Sequence, residues 1–268
     1  MSIDINNPQN KALVFVGQES IYSYLVLREL LKNETIASRL KKCFIVREPG
    51  GTILKKTIPF LRTSHYQYAW YLFLVNYGYR FLAPGKFSFQ NLVQAQGIPL
   101  TITYNINSTQ NISALKTLSP HLLITAYCSQ KLSTEILSTV KYAINCHPSL
   151  LPGYRGVEPL IHLQENPKEI GFSFHLMNNR FDAGDILFQK RIVIYTAASS
   201  LFAQYARLWQ EMGPALCNLL LNFGNFLQHR AKQEESKSGY VSVPDRKAVG
   251  TFLKRNKLFR LKDLYSLI

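Results

Sequence analysis

Signals for metal binding and disulfide bonding are missing. The 268 residues hold four cysteines, Cys43, Cys128, Cys146 and Cys217, none close to another, and neither CxxC nor HxxxH occurs. That argues against a disulfide framework and a structural zinc site, and for reduced thiols in a cytoplasmic protein. The N-terminal MSIDINNPQNK is polar, unlike a secretory signal. Long apolar runs are also scarce. The best, residues 63–79 (TSHYQYAWYLFLVNYGY), is 17 residues long and broken by His65, Gln67 and Asn76. A spanning helix needs about 20 apolar residues, so this stretch reads as a buried or interfacial aromatic helix and no transmembrane segment is expected. Acidic residues are few, 16 against 31 Lys and Arg, for a net charge of +15. Such an excess favours an anionic partner. Seven basic residues and no acidic one lie between Arg246 and Lys262.

Phosphate-cradling glycine loops are absent as well. REPGGT (47–52) is similar to a segment of thymidylate kinases, but those enzymes need GxxxxGK[ST] after the first strand. Here that place reads VGQESIYSYL, without a lysine. GxGxxG does not occur either, so kinase and dinucleotide readings fail.

What is present is alternation. Apolar, β-rich runs at 12–17, 43–48, 98–103, 121–127, 142–147, 171–177 and 185–194 are separated by helical patterns at 20–33, 111–118, 129–138 and 200–223. A long aromatic helical region reaches about Phe81. Continuous apolar strands between helices predict an α/β protein with an open, mostly parallel sheet covered on both faces. The expected organisation is a polar tail at 1–11, a catalytic domain at 12–230, and a polar linker with a short basic C-terminal extension at 231–268. In that extension Phe252, Leu253, Leu258, Phe259 and Leu261 recur every three to four positions or so, the pattern of a helix docked on the core.

Residues 143–156 read AINCHPSLLPGYRG. Alternation along a strand puts Asn145 and His147 on one face and Cys146 on the other. They fall at the carboxyl end of a central parallel strand, where open α/β sheets bind ligands. Pro148 and Pro152 stop a helix from covering them. Downstream, FHLMNNRFDAGD places His175 on a strand and Asp182 in a loop. A lone histidine there would read as structural. Together Asn, His and Asp form a coherent set: a hydrogen-bond donor, a proton carrier, and a carboxylate that orients the imidazole.

INCHPSLLPGYRG followed by GFSFHLMNNRFDAGDIL closely resembles the 10-formyltetrahydrofolate-dependent formyltransferases, the family of methionyl-tRNA, purine-pathway and sugar N-formyltransferases. The resemblance spans roughly residues 12–223. It implies a Rossmann-like fold, with Asn145, His147 and Asp182 matching the catalytic triad and His175 a supporting histidine. Asp185 competes for the acidic role, and the family pattern favours the first acid of DAGD. The loop AYCSQKL matches the pterin cradle, so Tyr127, Cys128, Ser129, Gln130, Lys131 and Leu132 are the implied cofactor contacts, largely through backbone groups.

The implied chemistry is transfer of the formyl group of 10-formyltetrahydrofolate to a primary amine, with no metal. In that scheme Asn145 and protonated His147 stabilise charge on the formyl oxygen. Asp182 holds the imidazolium and helps remove the amine's proton. Arg155 in YRGVEPL matches tRNA and sugar enzymes, whereas purine enzymes usually have Pro, which argues against glycinamide ribonucleotide as acceptor. Glu158 replaces a small residue common there. The expected acceptor is a small phosphorylated amine such as an amino sugar nucleotide. Methionyl-tRNA is the second reading, by an enzyme lacking the C-terminal barrel of its relatives, because an OB-type barrel needs more than the 45 residues after Phe223. A non-catalytic binding protein using the basic tail is the third.

Overall fold

Strands β1 (Leu13–Gln18), β2 (Leu40–Val46), β3 (Leu100–Thr103), β4 (Leu122–Ala126) and β5 (Tyr142–His147) run parallel in a seven-stranded sheet. The computed structural model describes residues 12–47, 65–83, 85–163, 170–193, 200–265 and 267. Two-residue β6 (Arg155–Gly156) leaves this sheet. Strands β7 (Gly171–Leu176) and β8 (Ile186–Arg191) complete it in the order β3-β2-β1-β4-β5-β7-β8, with β7 antiparallel to both neighbours. A second small sheet pairs β6 in parallel with β9 (Tyr240–Val241).

The sheet divides two cores, and side-chain alternation decides which residue enters which. Leu13, Phe15, Leu122, Ile124, Ile144, Cys146, Phe172 and Phe174 face the larger one. Val14, Val16, Leu123 and Ala143 face the smaller. Asn145 and His147 continue the Ala143 side, beyond the point where apolar residues cover it. The helices Ile21–Lys32 and Leu201–Leu221 close the larger face, where Leu25, Leu208 and Met212 are fully buried. Helix Thr109–Leu118 covers the smaller face through Leu115.

All seven strands match the expected runs to within three residues at the ends. Three helices also match, because serine side chains cap them: Ser20 Oγ accepts from Tyr22 N, Ser108 Oγ from Asn111 N and Ser200 Oγ from Ala203 N. The helix expected at 129–138 is confined to Thr134–Leu137. Residues ahead of it cannot join, since Gln130 is drawn toward β3 by hydrogen bonds with Ile106 N and Tyr104 O, and Ser133 caps the short helix. The aromatic region is helical from Tyr66 to Leu82 with a π turn at Leu74–Gly78. No helix among the described residues is long and apolar enough to cross a membrane. The tail at 1–11 and most of REPGGT lie outside the described residues.

The basic extension forms two short helices, Arg246–Leu253 and Leu261–Tyr265. Val249, Phe252, Leu258 and Leu264 are buried in the larger core, and the Phe259 and Phe202 rings meet edge to face at 5.1 Å. Leu201 and Phe202 donate backbone hydrogen bonds to the carbonyls of Lys257 and Leu258. Those apolar residues dock, whereas Leu261, expected on the same face, is 49% exposed, and most of the cations stay outside.

Candidate active site

β5 and β7 bring the polar residues together. Their antiparallel register sets Asn145 opposite His175 and His147 opposite Ser173. Asp182 arrives from the loop after β7 with φ +49°, a left-handed conformation that Asp tolerates better than most residues.

Asn145 holds the centre. Its Nδ2 donates to Asp182 Oδ1 at 3.1 Å and lies 3.2 Å from His175 Nε2. A carboxylate can only accept, so the amide nitrogen must face Asp182. The amide oxygen then accepts from Thr125 Oγ1 at 2.7 Å. Thr125 therefore fixes the amide plane. His175 Nδ1 donates to the Leu176 carbonyl at 2.8 Å, which turns Nε2 toward Asn145 and places it 3.4 Å from Asp182 Oδ1.

His147 is 3% exposed. Its Nε2 donates to the Tyr154 carbonyl at 2.8 Å, an oxygen that Ser149 also binds. Because a carbonyl only accepts, the proton on Nε2 is assigned and Nδ1 is the atom that titrates. Nδ1 faces Asp182 Oδ2 at 3.6 Å. Burial lowers the His147 pKa, and Asp182 offsets this only in part. The resting site thus carries a neutral imidazole beside a carboxylate. Burial alone would raise the Asp182 pKa, but the charge of His147, the hydrogen bond and charge of His175 and the Gly156 N–H together hold it well below the usual carboxylate range.

Gly156 N–H donates to Asp182 Oδ2 at 3.0 Å. The neighbouring Arg155, 6% exposed, gives Nε and Nη2 to Gln233 Oε1 and both terminal nitrogens to Glu235. Arg155 is thereby committed to the protein rather than free for a ligand. Asp185, the rival acid, pairs with Arg230 at 3.1 Å. Glu158 is buried with φ +54°. Burial pushes its carboxyl up to about 7 against hydrogen bonds from Tyr205 and Tyr68, and its Oε2 has no partner among the described residues.

The loop at 127–132 is anchored by its own side chains. Tyr127 has φ +51°, and its ring packs on Tyr22 and Trp209. Ser129 accepts from Gln18 Nε2, Gln130 points to β3, and Leu132 is buried in the smaller core. Burial raises the Cys128 thiol to about 11, which removes it as a nucleophile at neutral pH. Lys131 Nζ sits 5.2 Å from the centre of the Phe181 ring, so the loop reaches the residue beside Asp182. Leu132 and Gln130 can offer a ligand only main-chain groups.

Sequence reasoning did not reach Thr125, Ser149, the Tyr154 carbonyl or Gln233. Thr125 carried a usable signal, since parallel pairing sets it beside Asn145. Gln233 carried none. Among the described residues no group of His, Cys, Asp and Glu could hold a metal ion.

Residues 90–216 match the family model described as formyl transferase. The methionyl-tRNA formyltransferase of Halothermothrix orenii is 32% identical over 155 residues, 56% of this chain and 48% of that protein. The chain spans about half the length of the curated relatives it matches. A sugar N-formyltransferase from a Shewanella species superposes with a TM-score of 0.56 at 20% identity, covering 87% of this chain and 77% of the other. An N-formyltransferase from Helicobacter canadensis, solved with folinic acid and dTDP-3-aminofucose, gives 0.52 at 16% identity over 86% and 70%. At these identities the structural likeness speaks for the fold alone.

Proposed function

We propose that this chain, whose residues 90–216 match the formyl transferase family model, moves the formyl group of 10-formyltetrahydrofolate to a primary amine of a small phosphorylated acceptor of the amino sugar nucleotide class. The observation that carries this reading is the convergence of Asn145, His147 and Asp182 at the carboxyl end of β5, with one amide donor, one neutral imidazole and one carboxylate within hydrogen-bonding or ion-pairing distance.

Bound at the loop 127–132, the donor supplies an amide-like formyl carbon. The side chains of Ser129 and Gln130 are tied to the scaffold, and Lys131 brings the loop to Phe181, next to Asp182. Asn145 Nδ2, oriented by Thr125 and held by Asp182 Oδ1 and His175 Nε2, would exchange one of these partners for the formyl oxygen as negative charge builds on it. His147 Nδ1 and Asp182 Oδ2 act as one proton-accepting pair. A proton from the attacking amine that reaches this pair leaves an imidazolium neutralised by the carboxylate, 3.6 Å away, and the proton then passes to the donor's N10 as the bond from that nitrogen to the formyl carbon breaks and tetrahydrofolate leaves. His175 and Gly156 hold Asp182 in place for that step.

The sugar-nucleotide reading draws support from the tail, whose Val249, Phe252, Leu258 and Leu264 are buried against the larger core. The relatives with detectable identity act on methionyl-tRNA, which keeps tRNA as the alternative acceptor. The deciding experiment is parallel incubation of the purified chain and 10-formyltetrahydrofolate with an amino sugar nucleotide and with methionyl-tRNA, reading formyl adducts by mass spectrometry. Adduct on the sugar supports the proposal, and adduct on tRNA alone replaces the acceptor. No adduct, with no formyl donor bound by the folded protein, overturns the activity.

A further inference from the structure

Asp182 is braced from two sides by a segment far from it in sequence. Gln233 Nε2 donates to the main-chain carbonyls of Asp182 at 2.8 Å and Gly184 at 2.7 Å. The other end of the same amide, Oε1, accepts from Arg155 Nε and Nη2 at 3.0 and 2.8 Å. Arginine can only donate and a carbonyl can only accept, so the amide has one orientation that satisfies both ends. Arg155 carries the next residue, Gly156, whose N–H binds the Asp182 carboxylate. β6 is itself held by the chain that follows Gln233: Arg155 N donates to Gly239 O, Val157 N to Val241 O, and Gly239 N to Pro152 O.

The turn at 182–184 needs such bracing. Asp182 is left-handed, a conformation that costs about 1 kcal/mol or more outside glycine. Gly184 lies so close to Leu176 that an added Cβ would sit 1.8 Å from its carbonyl oxygen. Two carbonyls of this tight turn point toward one side-chain NH2 group. Charge closes the network. Glu235 accepts from Arg155 at 3.0 and 3.1 Å and from Arg180 at 2.9 Å, and those hydrogen bonds pull its carboxyl down to about 2.

We infer that Gln233 is a positioning residue for Asp182, and that the strap from Gln233 to Val241 sets where the carboxylate stands relative to Asn145 and His147. The inference rests on the reading of Asp182 as a functional acid. None of these strap residues lies within 90–216, the part matched by the family model. Gln233 touches no reacting atom. It acts through the Asp182 main chain and, through Arg155, on the Gly156 hydrogen bond.

The test compares the full-length protein with Gln233→Met, which keeps side-chain length and removes both polar ends, and Gln233→Glu, which keeps the acceptor for Arg155 and loses the donor. Two readouts separate positioning from simple destabilisation. The first is turnover with 10-formyltetrahydrofolate and whichever of the two probes, amino sugar nucleotide or methionyl-tRNA, the parent formylates. A shift of about 1 Å in a reacting group can cost on the order of 100-fold, so kcat is expected to fall about 10- to 100-fold in both variants, with KM for the donor within about twofold. The second is NMR titration of the histidine side chains, which needs no acceptor. In Gln233→Met the His147 midpoint is expected to move down, because Asp182 no longer stands where it raises it. If Gln233→Met does not fold, Gln233→Glu carries the kinetic test alone. Folded variants with parental kcat and a parental His147 titration overturn the inference. A parent that formylates neither probe overturns the functional reading instead, while the titration still reports whether Gln233 holds Asp182.

Discussion

Gly156 gives its N–H to Asp182 Oδ2 at 3.0 Å while its own Cα is pressed against the carbonyl of Val241. Its φ is +105°, and an added Cβ would lie 2.1 Å from that carbonyl oxygen. Backbone conformation and close packing both demand glycine. Gly156→Ala is expected to destabilise the fold by about 2–4 kcal/mol and to reduce turnover more than stability alone explains. Denaturant unfolding and activity at a temperature where the variant is folded check this. A change under about 0.5 kcal/mol contradicts it.

Asn145, His147 and Asp182 are expected to behave as a unit. His147→Ala and Asp182→Asn should each cut turnover by about 10²- to 10⁴-fold with the formyl donor still bound, and the double variant should be little worse than either single one. Asp185→Asn is the control. Its carboxylate serves Arg230, so activity should stay within a few-fold of the parent. Parental activity in Asp182→Asn together with loss in Asp185→Asn would exchange their roles.

Glu158 makes stability pH-dependent. Its folded pKa of about 7 lies above the ordinary 4.5, so the folded protein holds a proton there that the unfolded chain has released. This stabilisation is full below about 4.5 and is lost as pH rises through about 7. The span amounts to roughly 3 kcal/mol. Asp182 and His147, both lowered, act in the opposite sense at the acid end. Unfolding free energies of the parent and Glu158→Gln, measured from pH 5 to 8, should therefore converge at pH 5 and separate in the variant's favour at pH 8. Parallel curves would show that Glu158 is not held protonated.

The acceptor leaves a mark on salt dependence. Val249, Phe252, Leu258 and Leu264 anchor the basic extension, so most of its cations lie on the outer side of a docked segment. A nucleotide sugar should bind with a log–log salt slope of about −1 to −2, whereas a tRNA contacting many phosphates adds about −0.9 for each one on a duplex. Titration of binding between 50 and 300 mM salt (roughly the range in which such slopes are read) distinguishes them. A steep slope with formylation of methionyl-tRNA would overturn the small-acceptor reading.

The sheet was legible because its strands are long apolar runs whose alternate residues enter two different cores, as Phe15 and Val16 do. The grouping of Asn145 with His147 follows from the same two-residue period. Choosing Asp182 over Asp185 needed the family resemblance, since spacing alone puts either acid near the sheet edge. Gln233 and Glu235 stayed hidden for a physical reason. AKQEESKSG has the composition of a solvated connection, and its meaning comes from hydrogen bonds to Arg155, 78 and 80 residues away. Residues 129–133 misled in a related way. Their pattern is helical, but Gln130 reaches Tyr104, an interaction that no local window contains.

The pairing of β6 with β9 also has a consequence for biosynthesis. Its two strands start at Arg155 and Tyr240, 240 − 155 = 85 positions apart. A chain emerging from the ribosome exposes β1 to β8 well before that partner, and domains fold in the order in which they are made. A nascent chain that ends before Gln233 can pair β1 to β8, but it lacks Val249, Phe252, Leu258 and Leu264 for the larger core, Val241 beside Gly156 and Gln233 behind Asp182. Translation past Leu264 is therefore expected to complete the larger core and the bracing of Asp182 together, and a product aborted earlier to lack both.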